Sequence, residues 1–174
     1  MRAVIIKGKH NIDKLAELEN ETYQAVRKNM LDLHATDLTH KPQIEMVNKL
    51  YMQCEFDTTL KSLLIKELEQ KIQGYKGQDK KKEIHDSATL IKFDEVLEKL
   101  VATKLTCGYC SKPVFVFYQN VREPTQWTLD RLDNDLSHTK DNTCISCLKC
   151  NLQRRMTDVA KFTFTKKLKI NKVY

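Results

Sequence analysis

Apolar side chains recur every three to four positions through most of the first hundred residues. Over residues 12–33, Leu15, Leu18, Tyr23, Val26, Met30 and Leu33 keep this spacing, with Asp13, Glu17 and Glu19 near the start. The pattern predicts a helix with acids at its positive end. Pro42 suits the first turn of a second helix, where its missing N–H is not needed. That helix puts Ile44, Val47, Leu50 and Tyr51 on one face. Asp57 can cap a third, its carboxylate accepting free first-turn N–H groups. Leu60, Leu63, Leu64, Leu68 and Ile72 form its stripe, and Gly74 is placed to end it in a left-handed turn. Residues 74–82 hold two glycines and a lysine run and read as a mobile connection or a solvated helix start. Phosphate contact is the functional alternative for that run. A fourth helix is predicted over residues 87–103, with Leu90, Phe93, Leu97, Leu100 and Val101 on its apolar face. Residues 1–10 read as a strand or a frayed start.

After residue 105 the period changes. Residues 113–118 (Pro-Val-Phe-Val-Phe-Tyr) are β-branched and aromatic, which predicts a strand. Arg122-Glu123-Pro124 is a turn. Residues 126–132 predict a second strand with Asp130 among apolar neighbours, and residues 133–142 a polar loop. An extended stretch follows at residues 144–146, then a helix from Asn151 through Arg154 and Met156. The tail, residues 161–169, alternates apolar and polar positions. It suits a basic edge strand, a flexible arm, or packing onto the helical unit.

Cysteine spacing changes this picture most. Cys107-Gly108-Tyr109-Cys110 and Cys147-Leu148-Lys149-Cys150 are two Cys-x-x-Cys knuckles with 36 residues between them. Two residues between cysteines let both sulfurs of a tight turn face one ion, and thiolate sulfur suits zinc. The four cysteines therefore predict one structural zinc. Redox pairs or buried free thiols are the alternative, and they leave Asn151 unexplained. Clustered thiols of this kind fit a reducing, intracellular setting. No signal peptide opens the chain, because Lys7 and Lys9 follow directly on Met1-Arg2-Ala3-Val4-Ile5-Ile6. No apolar run nears the ~18–20 residues needed to cross a bilayer.

Charge adds a partner. The chain carries a net +7, and residues 105–174 hold 12 basic against 6 acidic side chains. Residues 1–104 are nearly balanced. A cationic surface beside a metal site favours a polyanion, nucleic acid first.

The words between the knuckles carry a resemblance. Leu129-Asp130-Arg131-Leu132-Asp133-Asn134, then Asp141-Asn142, then Cys147-x-x-Cys150-Asn151 resembles the HNH nucleases of the treble-clef ββα-metal type, as in phage and large-virus proteins. The similarity spans residues 105–157. With the helical periodicity of residues 1–104, it gives an α+β reading: a helical unit over residues 1–104, then, as the resemblance implies, an HNH-like zinc domain over residues 105–174. It implies a metal-dependent endonuclease acting on DNA, with Asp130 and Asn151 holding Mg²⁺ or Mn²⁺ as oxygen ligands. Taken singly, Asp130 also reads as a strand-end acid and Asn151 as a helix cap.

One departure bears on the chemistry. Arg131 stands where the commonest members have the histidine that activates water, and a guanidinium cannot accept that proton. His138, the only histidine in this part of the chain, is the candidate base, with Asp133 as the other. Asn142 ties the loop to the base, or simply orders the loop. Arg131, Lys149, Arg154 and Arg155 are expected to meet phosphate. The competing expectation is a zinc-stapled DNA-binding or structural protein, possibly viral, that has lost cleavage.

Overall fold

The structure is a computed structural model that describes residues 8, 25–30 and 32–168. It is mixed α and β. A 3₁₀ turn, Lys28–Met30, precedes α1 (His40–Tyr51), α2 (Thr58–Lys81) and α3 (Phe93–Ala102). Then come β1 (Trp127–Arg131), β2 (Thr143–Cys147), α4 (Leu148–Arg154) and α5 (Val159–Lys167). β1 and β2 are antiparallel, with Trp127 opposite Cys147, Leu129 opposite Ile145 and Asp130 opposite Cys144. Among the described residues no helix is long and apolar enough to cross a membrane.

One apolar core joins the two halves of the chain. Leu64, Leu68 and Ile72 of α2 and Val96, Leu97 and Leu100 of α3 are buried in the same cluster as Val114, Trp127, Leu129 and Ile145. The two-knuckle cysteine segment and the helices thus share a single hydrophobic driving force.

α1 forms where Pro42 predicts it, although Tyr51 lies exposed at its end. Asp57 caps α2, its Oδ1 accepting from the Leu60 N–H at 2.8 Å. Gly74 does not end that helix, which runs 24 residues through both glycines to Lys81. The reason is that the buried face continues past the leucine stripe. Glu67, Tyr75 and Asp79 are buried there against the rest of the protein, and this docking outweighs the low helix propensity of glycine. The predicted linker is therefore helix.

α3 starts later than predicted. Asp86 folds residues 86–90 into a turn, accepting from the Ala88 N–H at 2.9 Å and the Thr89 hydroxyl at 2.8 Å. Leu90 then bridges Thr139, and the Ile91 N–H donates to His138 O at 2.8 Å. Residues 113–118 do not form a strand. Their backbone groups are divided among unlike partners: Val114 N–H donates to Leu105 O, and Phe115 N–H to Thr125 O. The buried Gln43 side chain takes Val116 N–H, Phe117 N–H and Phe117 O. A side-chain amide stands where a neighbouring strand would be.

The helix predicted over residues 12–33 lies mostly outside the described residues, as does the element expected over residues 1–10. Where residues 25–30 are described, they are not α-helical. Val26 bridges Asn120, and the Arg27 guanidinium sits 4.3 Å over the Tyr118 ring. The tail is helix over Val159–Lys167, neither strand nor arm. Asp158 caps it through the Lys161 N–H at 2.9 Å, and Phe162 packs edge-on to Tyr109 at 5.1 Å. A local cap decides against the alternating pattern.

The position of Gly74 yields a sign test. A Cβ added there meets nothing within 4 Å. Mid-helix, Gly74→Ala should stabilise the protein by roughly 0.5–1 kcal/mol; at a left-handed terminus it would destabilise. Urea unfolding of the two proteins reads the direction.

Candidate metal centre and adjoining cleft

The first knuckle is held against β2 by the backbone. The Gly108 N–H donates to Ile145 O at 2.9 Å, and a Cβ on Gly108 would stand 3.3 Å from that oxygen. Glycine permits this approach. The Ser111 N–H closes the turn onto Cys107 O at 2.9 Å, with Ser111 at φ 56°. The second knuckle straddles the end of β2 and the start of α4, where Cys147 Sγ accepts from the Cys150 N–H at 3.4 Å.

Together the knuckles place the sulfurs of Cys107, Cys110, Cys147 and Cys150 all within 4.8 Å of one another. Cys110 Sγ and Cys147 Sγ are 3.9 Å apart. A tetrahedron with Zn–S bonds of about 2.3 Å has edges of about 3.8 Å, so the site fits zinc. Protonation fits too. With protons alone, the Cys147 thiol bonding to Cys107 brings the Cys107 thiol down to about 4. The same contact pushes Cys147 up, and burial pushes Cys150 up to about 12. All four could become thiolates together only around a cation, whose binding would release the remaining protons. Cys144, the fifth cysteine of the segment, stands beside them and bonds the Tyr109 hydroxyl at 3.4 Å.

A cleft of about 450 Å³ opens beside this centre, between α2 and the β1–α4 unit. Asp130, Arg131, His138, Asn151, Lys71 and Gly74 are among its lining residues. The structure thus brings several of the sequence-predicted residues to one place, but their pairings differ from those expected.

Asp130 is 5% exposed and its oxygens are taken. Oδ2 accepts from the Tyr109 hydroxyl at 2.5 Å and from Arg154 Nε at 2.5 Å, and Oδ1 from Arg154 Nη2 at 3.2 Å. Asn151 turns its amide N–H group toward Leu129 O at 3.3 Å and Thr128 Oγ1 at 3.2 Å. These residues do not fit Mg²⁺ or Mn²⁺, because a guanidinium holds the carboxylate that a hard cation needs. Arg154, expected at a phosphate, is buried and also bonds Arg131 O at 2.5 Å and Thr157 O at 3.0 Å. It closes the end of β1 against α4. Arg131 likewise turns inward, to Asp79 at 3.4 Å and Leu136 O at 3.3 Å. Lys149 and Arg155 remain exposed.

His138 is 3% exposed and its ring stacks at 4.7 Å on Tyr75. Its Nδ1 lies 2.7 Å from Asp79 Oδ1, and its backbone N–H donates to Asp79 Oδ2 at 2.8 Å. Among the described residues Nε2 has no hydrogen-bond partner, and it is not among the fully enclosed polar atoms left without one. Burial lowers the His138 pKa, and the bond to Asp79 opposes that shift. The net direction favours the neutral imidazole. Asp133 is exposed, outside the cleft, and folds its own carboxylate onto the Asp135 N–H at 2.9 Å. Asn142 orders the loop: Oδ1 accepts from the Asp133 N–H at 2.8 Å, and Nδ2 donates to Asp133 O and Ser137 O.

Two residues escape a reading of sequence: Lys71, which lines the cleft, and Asp79, which is buried behind His138. Asp79 sits among lysines and reads as solvated. Lys71 points its amine at Gln126 Oε1 and Trp127 O, over the Trp127 ring at 4.8 Å. Burial and the nearby Arg27 charge lower Lys71 to about 7. Their shared signal is spacing, since Glu67, Lys71, Tyr75 and Asp79 fall at every fourth position.

Two outcomes follow. Protein purified under reducing conditions should carry one zinc per chain by elemental analysis, and stripping it with a chelator should abolish cooperative unfolding. Asp130→Asn should cost about 3–5 kcal/mol in urea unfolding of the zinc-loaded protein, since it breaks a buried ion pair. An Asp130 that serves only as a metal ligand would give little change.

No protein-family model, no curated protein and no solved structure matches this chain.

Proposed function

We propose that this chain is a zinc-stapled, HNH-like endonuclease that binds DNA and hydrolyses its phosphodiester bonds, with His138 as the base that activates water. The observation that carries this reading is the His138 ring, held rigidly at the cleft with Nε2 unpartnered among the described residues. A neutral imidazole there can take a proton from water as the oxygen attacks phosphorus. The leaving sugar oxygen then takes a proton from solvent. Exposed Lys149, Arg155, Lys80, Lys81 and Lys82 offer contacts to the phosphate backbone. Zinc would be held by Cys107, Cys110, Cys147 and Cys150, and would supply folding energy and no chemistry. The Mg²⁺ or Mn²⁺ that the resemblance implies does not fit Asp130 while Arg154 occupies it, so no step is assigned to such an ion.

The Asp130–Arg154 pair favours a second reading. A module with its acidic ligand neutralised in this way suits a DNA-binding protein that has lost cleavage.

A plasmid-nicking assay with Mg²⁺, Mn²⁺ or EDTA, paired with a salt-dependent gel shift, separates the two. Nicking by the wild type that falls about 10²–10⁴-fold in His138→Ala supports hydrolysis. Salt-sensitive binding without nicking supports the second reading. Neither binding nor nicking would sink both.

A further inference from the structure

We infer that Asp79, on the long helix α2, is the positioning residue that sets the tautomer of His138 and aims its Nε2 into the cleft. This rests on the reading of His138 as the base, and it places part of the reaction machinery outside the zinc segment.

The geometry is specific. Asp79 is fully buried, and one carboxylate grips the same histidine twice. Oδ2 accepts from the backbone N–H at 2.8 Å, while Oδ1 lies 2.7 Å from the ring Nδ1. An ionised carboxylate only accepts, so the Nδ1 proton is fixed in that bond. The lone pair is then left on Nε2. Arg131 Nη1 lies 3.4 Å from the same Oδ1 and sets a positive charge beside the carboxylate. Tyr75, one turn back on α2, covers the ring face at 4.7 Å. Its hydroxyl is itself pinned by the Leu129 N–H at 2.9 Å. From the other side, the Ile91 N–H holds His138 O at 2.8 Å. Backbone, ring plane and ring proton are therefore all fixed by neighbours.

A clasp between α2 and the loop would need only the backbone bond. It would not need an imidazole, nor a ring nitrogen that has no partner among the described residues beside a cleft. A carboxylate on one ring nitrogen and a free lone pair on the other is the arrangement by which a histidine is prepared to accept a proton. The arginine at position 131 fits the same scheme. Where a base would stand on β1, this chain has a cation that supports a base supplied from the loop.

The test uses the full zinc-loaded chain with ¹⁵N-labelled histidine. Nitrogen chemical shifts report which ring nitrogen carries the proton, and His138→Gln assigns the signal. The wild type is expected to show His138 protonated on Nδ1 at neutral pH. In Asp79→Asn the amide can donate to Nδ1, so the proton should move to Nε2. The nicking kcat should then fall about 10²–10⁴-fold with KM and gel-shift affinity little changed. A wild-type His138 protonated on Nε2 overturns the inference, even if Asp79→Asn fails to fold. An Asp79→Asn protein that folds and keeps both tautomer and kcat overturns it as well. Because the tautomer is read without cleavage, a wild type that never nicks DNA defeats the proposed function alone.

Discussion

The polar stripe of α2 holds the two halves of this protein in register. A helix turns once in 3.6 residues, so Glu67, Lys71, Tyr75 and Asp79 lie along one face. Glu67, Tyr75 and Asp79 are buried, and each of the four meets its own partner: Arg27 and Asn29, Trp127 O and Gln126, the Leu129 N–H, and His138 with Arg131. Buried polar groups cost several kcal/mol when unpaired. A slip of α2 by one turn would strand all of them at once. Apolar packing alone tolerates such slips; this stripe does not.

The four-cysteine cluster offers the complementary constraint. An ion held there would tie the turn after α3 to the junction of β2 and α4, so that the second half could not spread. Two short strands and two short helices make a small core by themselves, and a metal clip at their meeting point would add to it. The shared apolar core then couples this clip to α2 and α3. The cleft forms where the two constraints meet, with α2 as one wall and the β1–α4 unit as the other.

What the sequence discloses follows from range. The sulfur cluster is legible because each pair of cysteines is set by a local turn and tetrahedral geometry demands the rest. Asp57 is legible for the same reason, since a cap acts within one helical turn. Gly74 misleads because its usual meaning is local, while the helix here is held by distant partners. Residues 113–118 mislead because strand propensity says nothing about who occupies the neighbouring row, and Gln43 occupies it. His138 can be singled out by chemistry as the only imidazole in its half of the chain. Asp79 cannot, because the fact that matters is 59 residues away in the chain and 2.7 Å away in space.

The division of labour on β1 turns on alternation. Successive strand residues face opposite sides, so Asp130 and Arg131 cannot serve the same partner. Asp130 turns to Tyr109 and Arg154; Arg131 turns to Asp79 and Leu136 O. A divalent ion and a guanidinium would compete for the Asp130 oxygens, and the guanidinium has other anchors at Arg131 O, Asn134 Oδ1 and Thr157 O. Expelling it would leave the buried Arg131 O unpaired, a loss worth about 1–3 kcal/mol, and would break two further bonds. The acidic side of β1 is therefore committed to holding α4 in place. Whatever proton chemistry the cleft performs falls to the other side, where the arginine meets the Asp79 carboxylate and the imidazole that it holds.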